Sequence, residues 1–292
     1  ASSIKEVLRI ALDSDLLDDG SKPIAKEVLQ WGGTRALTGS DVCILEGLWN
    51  EYGVAWAWQN RWMKKSLRMD IHDSLEYFMG HLDRITSDTY LPSDSDIIHA
   101  YHHTDGNSKH NLIQNGLKLE VLDTSGSNLL ENKYEPEWAQ TVLYVMDISE
   151  FNRYTTNDGN QYQHVLQQSR DLFTSCVESF PDKTGLILFL NKKDVFRQMI
   201  VKVPFKESTP WGHNRFPDFN GNFSVEEREY GTDGNDLEFE QYYQDTLDYL
   251  VNWLKKDASK SVLKRLYIHD TDSTKPENFP EILTTVKSCV LD

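Results

Sequence analysis

Residues 1 to about 90 carry apolar side chains at helical spacing. The first stripe, within residues 4–12, has the pattern of an amphipathic helix. Ser40-Asp41 is the expected N-cap of the third helix, and Gly53 is its expected stop signal. The further helices are predicted over residues 24–31, 42–51, 54–65 and 74–82. The segment therefore reads as all-helical.

The pattern changes after Tyr90-Leu91-Pro92-Ser93, where short strand-like runs begin. Two of them, residues 111–114 and 117–122, are joined by Asn115-Gly116. Asn and Gly both tolerate positive φ, so this pair between strand-like runs predicts a tight β-hairpin.

Near-continuous apolar runs then alternate with helical patterns, as in a parallel sheet whose strands are buried on both faces. The strands are predicted over residues 141–148, 186–190 and 265–269. The helices are predicted over residues 161–179, 236–256 and 279–290. An acidic stretch rich in Gly, Asn and Pro, residues 208–235, interrupts this order and is expected to be a long surface insertion.

Composition limits the classes of partner. A net charge of −16 argues against nucleic acid and anionic membranes, because phosphates repel an acidic surface. The three cysteines are few and far apart, which fits free thiols in a reducing compartment, and we expect a cytoplasmic protein. No apolar run has the length of a membrane span. The chain begins directly in a helical stripe, from which we expect that a segment upstream is absent.

The most informative motif is Asn191-Lys192-Lys193-Asp194, which closes the apolar run of residues 186–190. In GTP-binding proteins such a tetrad reads guanine: the Asp carboxylate accepts from the base N–H groups, the Asn braces the site, and a Lys stem covers the ring. The alternative interpretation is a strand capped by a charged turn. No G-x-x-x-x-G-K-[ST] loop occurs in these 292 residues.

The order of elements resembles the alpha subunit of a heterotrimeric G protein over almost the whole chain. Residues 90–98 resemble the family's linker into switch I, and His103-Thr104-Asp105-Gly106 resembles its Lys-Thr-Thr-Gly. Residues 122–126 resemble its Asp-Val-Gly-Gly, and residues 187–196 are nearly the family's own string. The resemblance implies a Ras-like P-loop GTPase-type α/β domain, residues 93–292, carrying an all-α helical domain, residues 1–92.

The resemblance also assigns residues to nucleotide and metal. Asn191, Lys192 and Asp194 would bind the base of GTP or GDP, and the amide of Gly126 would sense the γ-phosphate. Thr104 and Asp123 would face Mg²⁺. For Thr104, Asp123 and Gly126 the alternative interpretation is turn chemistry at strand ends.

Departures from the family pattern affect hydrolysis most. Tyr101 occupies the position of the switch I Arg, and a phenol carries no positive charge at neutral pH. Ser127 occupies the position of the water-orienting Gln and is too short for that role. The second base element, Thr-Cys-Ala-Thr, aligns with residues 269–272, which places two carboxylates beside the base.

As an alternative to the nucleotide site, three histidines and one aspartate have a spacing that could offer metal ligands, although a solvated loop explains this spacing equally well. These residues are His99, His102, His103 and Asp105.

The missing strand raises a topological question. In this fold the strand before the phosphate loop lies at the centre of the sheet, so its absence predicts two half-sheets with unpaired main-chain groups. The natural protein could be longer, another segment or chain could fill the slot, or the sheet could be rearranged.

Three functions remain open. The first is a pseudo-GTPase of the alpha-subunit type that signals or acts as a scaffold by binding proteins. The second is a divergent alpha subunit that binds GTP and hydrolyses it slowly, its phosphate loop lying outside this chain. The third uses the fold for a different ligand, with residues 208–235 as the candidate surface. The family implies a βγ partner, a receptor or effector, and the inner face of the plasma membrane. Residues 127–138, which align with switch II, lack the family's run of Arg and Lys, and the last helix ends early. These two departures argue against the βγ partner and the receptor.

Overall fold

The computed structural model describes ten ranges and a few single positions of the chain. The ranges are residues 2–33, 36–62, 71–100, 106–114, 117–125, 138–156, 162–206, 216–221, 237–275 and 286–288, with residues 280 and 284. They fall into two compact units, one formed mainly by residues 1–100 and the other mainly by the residues that follow.

In the first unit, every element among the described residues is a helix. The helices are α1 Ser2–Asp13, α2 Ser21–Gln30, α3 Gly39–Trp49, α4 Tyr52–Gln59, α5 Leu75–Met79, α6 Leu82–Ile85 and α7 Asp94–His99. Helices α1 and α4 pack together, and the core of the unit includes the fully buried Val7, Leu8 and Ala57. The apolar stripes therefore point inward, as an amphipathic helix requires.

Two local expectations for this unit were wrong. Helix α3 is capped by Thr38, whose side chain accepts from the amide of Asp41 while the Asp41 carboxylate accepts from the Thr38 amide. This reciprocal pairing satisfies two helix-end donors, which Ser40 does not do. Gly53 lies inside α4 instead of ending α3, because the chain at Glu51 re-enters a helix at once.

The segment after residue 92 groups with the helical unit. Ser93 caps α7, and Asp96 of α7 forms a bidentate ion pair with Arg84, with N–O distances of 2.7 and 2.6 Å. Asp96 also accepts from the hydroxyl of Tyr77 at 2.9 Å. These contacts tie residues 93–100 to α5 and α6, so the compact unit extends beyond the predicted boundary at residue 92.

The second unit begins with the predicted hairpin, which is confirmed. Strands β1, Asn107–Gln114, and β2, Leu117–Thr124, are antiparallel, and Gln114 pairs with Leu117. That register leaves a two-residue connection at Asn115-Gly116, the length typical of a tight hairpin. The turn residues themselves lie outside the described part of the chain.

The predicted parallel sheet is also confirmed. Strands β3, Thr141–Asp147, β6, Gly185–Asn191, and β7, Leu266–Asp270, run parallel in the order β3-β6-β7. Central β6 is buried along residues 186–190, as its near-continuous apolar sequence predicts. Among the described residues, the hairpin and this sheet are separate, which matches the two half-sheets expected without a central strand.

Helices and a small ribbon complete the unit. A short 3₁₀ helix, Ile148–Asn152, follows β3, and strands β4, Tyr154–Thr156, and β5, Tyr162–His164, pair antiparallel. The helix predicted over residues 161–179 is shorter, because its first residues pair in β5 instead. The later helices are α8 Val165–Glu178, α9 Lys193–Lys202, α10 Leu237–Lys255 and α11 Lys260–Arg265.

Two predicted features fall largely outside the described residues. Of the insertion at residues 208–235, the structure describes residues 216–221. Of the last helix, predicted over residues 279–290, it describes residues 280, 284 and 286–288 as helical. Val286 of this helix packs against Ile187 and Phe189 on one face of β6.

Candidate functional site

Polar side chains collect where the three parallel strands end. Asp147 ends β3, Asn191 ends β6 and Asp270 ends β7. The carboxyl ends of parallel strands lie at the same edge of a sheet, which is where α/β proteins bind ligands. This edge contains the predicted tetrad and is the candidate site.

Asn191 joins β6 to the loop that follows β7. Its Oδ1 accepts hydrogen bonds from the hydroxyl of Thr271 at 3.2 Å and from the hydroxyl of Ser273 at 2.6 Å. The main-chain N–H of Ser273 donates to the same oxygen at 3.2 Å. The amide oxygen thus organises the neighbouring loop, as expected for an Asn that braces a site.

Lys192 adopts an unusual backbone conformation at the turn out of β6. Its φ is 60°, in the left-handed region that costs a residue with a side chain on the order of 1 kcal/mol. Its Nζ lies 2.8 Å from Oδ2 of Asp147, so the ammonium is anchored at the end of β3. The strained turn and the ion pair together hold the Lys side chain across the strand ends.

Lys193 fixes the same loop through its main chain and its side chain. The amide of Lys193 donates to the carbonyl of Thr271 at 3.1 Å, and the amide of Thr271 donates to the carbonyl of Leu190 at 2.8 Å. The Nζ of Lys193 lies 2.9 Å from Oδ2 of Asp270. These bonds continue the contact between β6 and β7 beyond the ends of the strands.

Two carboxylates share this corner. Asp194, in the first turn of α9, is half-buried, and its pKa is raised above the usual value by burial and then by the negative charge of Asp272. Asp272 is 2% exposed. Burial alone would raise the pKa of Asp272, but hydrogen bonds from the hydroxyl and amide of Thr274, together with Lys275, lower it below the usual value.

The segment that contacts Asn191 begins two residues later than the segment that the sequence alignment assigned to the second base element. His269 and Asp270 belong to β7, so their main chains pair in the sheet and cannot form the loop. The residues that meet Asn191 are Thr271 and Ser273. In this register Thr271 and Thr274 coincide with the two threonines of Thr-Cys-Ala-Thr, and one carboxylate, that of Asp272, enters the motif.

The predicted metal and phosphate residues are not brought together with the tetrad by any described contact. Asp123 is exposed near the end of β2, where it pairs with Ser108 of β1. Thr104, Gly126, Tyr101 and Ser127 lie outside the described residues.

The competing histidine cluster gains no structural support. The ring of His99 stacks on Tyr77 with centroids 3.9 Å apart, and its Nδ1 lies 2.9 Å from the carbonyl of Ser95. His102, His103 and Asp105 lie outside the described residues, and across the residues that are described no group of three potential ligands could hold a metal ion. Within the same residues, no helix is long and apolar enough to cross a membrane.

Sequence reasoning missed two residues of the corner. Asp147 and Ser273 were not assigned a role, although the first anchors Lys192 and the second binds Asn191. Asp147 could have been found, since it ends an apolar parallel strand as Asn191 does. Ser273 carries no such signal, because its contact depends on the path of the loop.

Comparison with known proteins gives a consistent match. The profile of the family described as G-protein alpha subunit matches residues 9–290. The chain is 30% identical to the guanine nucleotide-binding protein alpha-6 subunit of Dictyostelium discoideum over 162 residues, 54% of this chain and 45% of that protein. It is 26% identical to the alpha-4 subunit of Caenorhabditis briggsae over 251 residues, 85% of this chain and 62% of that protein.

A fungal relative gives the same result. The G-protein complex alpha subunit gpaA of Aspergillus fumigatus is 26% identical over 247 residues, 84% of this chain and 61% of that protein. The chain thus spans between 45% and 62% of the length of these relatives.

Proposed function

The chain belongs to the G-protein alpha subunit family, and we propose that it acts in signal transduction by binding other proteins, without hydrolysing GTP. The proposal takes residues 1–100 as the family's helical domain and the later residues as its Ras-like domain. Its proposed partners are those of the family, a βγ dimer, a receptor or an effector, and its proposed location is the cytoplasmic face of the plasma membrane.

One observation carries the proposal: the residues predicted to bind a base lie at one edge of the sheet, but these 292 residues contain no loop of the kind that holds a triphosphate. Asn191, Lys192 and Asp194 stand together at the ends of β3, β6 and β7. These 292 residues contain no G-x-x-x-x-G-K-[ST] loop, whose amides and Lys would surround the phosphates.

Residue types at two further positions argue against hydrolysis. Phosphoryl transfer depends on positioned charge, including a metal, a residue that orients water and an Arg. Tyr101 and Ser127 stand where the family places the Arg and the water-orienting Gln. Neither can supply the charge or the reach of the residue it replaces.

The corner offers groups that can bind a guanine base, but it offers none that would hold the phosphates of a nucleotide. The carboxylate of Asp194 can accept from base N–H groups, Asn191 is braced by three hydrogen bonds, and the stem of Lys192 can cover a ring. Thr104 and Asp123 would face Mg²⁺, and Gly126 would offer its amide to a γ-phosphate. Magnesium would supply charge neutralisation for the phosphates, for which this chain offers no loop of its own.

Isothermal titration of the 292-residue chain with GTPγS and Mg²⁺ tests the proposal. We expect no saturable binding at micromolar ligand, because the triphosphate is the main source of affinity when a phosphate loop holds it. A dissociation constant in the micromolar range or tighter would overturn it.

That outcome would support a second candidate function, a divergent guanine-nucleotide-binding alpha subunit with slow GTPase activity. The observation in its favour is the braced geometry of Asn191, which a strand cap alone does not require. Such a subunit would bind GTP and hydrolyse it slowly, since an Arg supplied in cis is worth several orders of magnitude in rate.

A further inference from the structure

The carboxylate of Asp147, at the end of β3, is fixed through both of its oxygens. Its Oδ1 accepts the main-chain N–H of Ser149 at 3.0 Å and the Ser149 hydroxyl at 2.5 Å. Its Oδ2 lies 2.8 Å from the Nζ of Lys192. Because the bonds from Ser149 orient the carboxylate, they also set the place of the ammonium that the other oxygen binds.

This anchor belongs to the packed interior of the unit. Asp147 caps the 3₁₀ helix that follows β3, and within that helix Ser149 is 7% exposed and Phe151 is fully buried. The ring of Phe151 packs edge to face on Phe196 of α9, with centroids 5.3 Å apart. Helix α9 also carries Asp194 in its first turn. The helix that Asp147 caps is therefore in direct contact with the helix whose carboxylate is predicted to bind the base.

The path of the Lys192 side chain follows from where its two ends lie. Asp147 and Asn191 are paired across β3 and β6, and Lys192 follows Asn191 directly. Because the ammonium lies at Asp147, the aliphatic stem runs from the end of β6 towards the end of β3. The stem is thus held along the edge of the sheet that ends in Asn191.

The ion pair contributes more to order than to folding stability. The side chains of Lys192 and Asp147 are 41% and 26% exposed, and pairs that water can reach stabilise a fold only slightly. Holding a long Lys side chain in one conformation costs rotamer entropy. A side chain that is already ordered in the free protein loses less of this entropy when a ligand binds. Asp147 can therefore matter more for ligand binding than for folding.

We propose that Asp147 is a positioning residue for a bound guanine base, and that it acts by holding the stem of Lys192 over the ring. Asn191 and Asp194 would meet the edge of the base and Lys192 its face, while Asp147 itself would not touch the ligand. The inference rests on the base-binding role proposed above for the tetrad and adds to it a residue from a different strand. A pair that only joined β3 to β6 would leave ligand affinity unchanged, and the test separates these two roles.

The probe is guanosine, which presents the base without phosphates. Saturation-transfer difference NMR, a method suited to weak ligands, measures its affinity for the 292-residue chain. Asp147→Asn keeps an oxygen that can accept from Ser149 but removes the charge that binds the ammonium. We expect this variant to bind guanosine about three- to tenfold more weakly than the wild type, because the ligand must then order the Lys192 side chain.

The matched control is Glu120→Gln on β2. Glu120 lies 3.5 Å from Lys109 of the neighbouring strand β1, so this variant also removes one carboxylate from an exposed cross-strand pair with a Lys. It should leave the affinity for guanosine unchanged. Urea denaturation of the same proteins shows that each variant is folded. A second measurement needs no variant: in the wild type, nuclear Overhauser effects should join guanosine to the side-chain methylenes of Lys192.

A double-mutant cycle distinguishes positioning through Lys192 from a merely structural role. Lys192→Met keeps an unbranched stem but has no ammonium, so Asp147 has nothing to hold in that background. Asp147→Asn should therefore lower the affinity for guanosine in the wild-type background and cause no further loss beside Lys192→Met.

Four results would overturn the inference. They are the absence of saturable guanosine binding by the wild type, the absence of Overhauser effects to Lys192 in the complex, equal affinity of the wild type and Asp147→Asn, and a loss from Asp147→Asn that is undiminished beside Lys192→Met. None of them bears on the role without GTP hydrolysis, which the GTPγS titration tests. Failure of the inference and failure of the proposed function are therefore distinguishable.

Discussion

The hydroxyl of Ser273 donates to Oδ1 of Asn191 at 2.6 Å, and this bond fastens the loop after β7 to the end of β6. Asn191 is the first residue of the tetrad that we predict reads guanine, and its side chain binds the protein's own loop after β7. The corner is therefore held in shape by hydrogen bonds within the protein itself.

The first prediction concerns this bond. Asn191→Ala should lower the free energy of unfolding by about 1–3 kcal/mol, because the hydroxyl of the buried Thr271 and the donors of the exposed Ser273 lose their acceptor. Ser273→Ala should lower it by about 1 kcal/mol. Urea denaturation of the two single variants and the double variant gives the coupling energy between the side chains. Additive losses would show that the bond does not stabilise the corner.

The second prediction concerns acid unfolding of the helical unit. The Arg84 guanidinium holds the pKa of Asp96 well below its usual range. A depressed pKa contributes stability above the unfolded value of about 3.9, and this contribution is lost as the pH falls further. Asp96→Asn should therefore destabilise the protein at pH 7, and its difference from wild type should shrink steadily below about pH 4.

The control is Asp94→Asn, an exposed position in the same helix α7. It removes one negative charge from the same turn but breaks no contact with Arg84. Urea unfolding followed at several pH values compares the three proteins. A loss for Asp96→Asn that stays constant down to pH 2 would contradict the role of the ion pair.

The third prediction uses two glycines in helices. A methyl group at Gly53 would lie 2.7 Å from the main-chain carbonyl of Leu16, so Gly53→Ala forces α4 away from the segment that follows α1. We expect Gly53→Ala to lower the free energy of unfolding by about 1–3 kcal/mol, despite the better helix propensity of Ala. Gly47 of α3 meets nothing within 4 Å, and Gly47→Ala should raise the stability by up to about 1 kcal/mol. Equal effects in thermal denaturation would refute the packing argument.

The fourth prediction concerns catalysis. Replacing Tyr101 by Arg and Ser127 by Gln restores two residue types that the family uses, but it adds no phosphate loop to the chain. We expect the double variant to release no more phosphate from GTP than the wild type in a single-turnover assay. Turnover above the uncatalysed rate would mean that the phosphates are held by other residues.

Much of the fold could be predicted because its signals are local. Asn115-Gly116 fixes the hairpin register through the backbone freedom of two residues, and the apolar runs of β3 and β6 fix the parallel sheet. The tetrad was placed correctly for the same reason, since it directly follows a strand. These features depend on neighbours in the sequence.

The rest depends on tertiary contacts that sequence spacing does not encode. Thr38 caps α3 because Asp41 turns back to it, and Gly53 is required by the path of Leu16 and not by a helix end. The loop register at Thr271 became clear only from its bonds to Asn191. The exposure of Leu143 and Val145 was also unforeseen, because their sequence is that of a strand buried on both faces.

The central claim is that this polypeptide has a base-reading corner but no site for a triphosphate. The most direct measurement compares guanosine, GMP, GDP and GTP by isothermal titration against the 292-residue chain in Mg²⁺. We predict that GTP binds no more than about tenfold tighter than guanosine, because added phosphates meet no loop that holds them. Binding of GTP at least about a hundredfold tighter than guanosine would contradict the claim, since only a phosphate site could supply that difference.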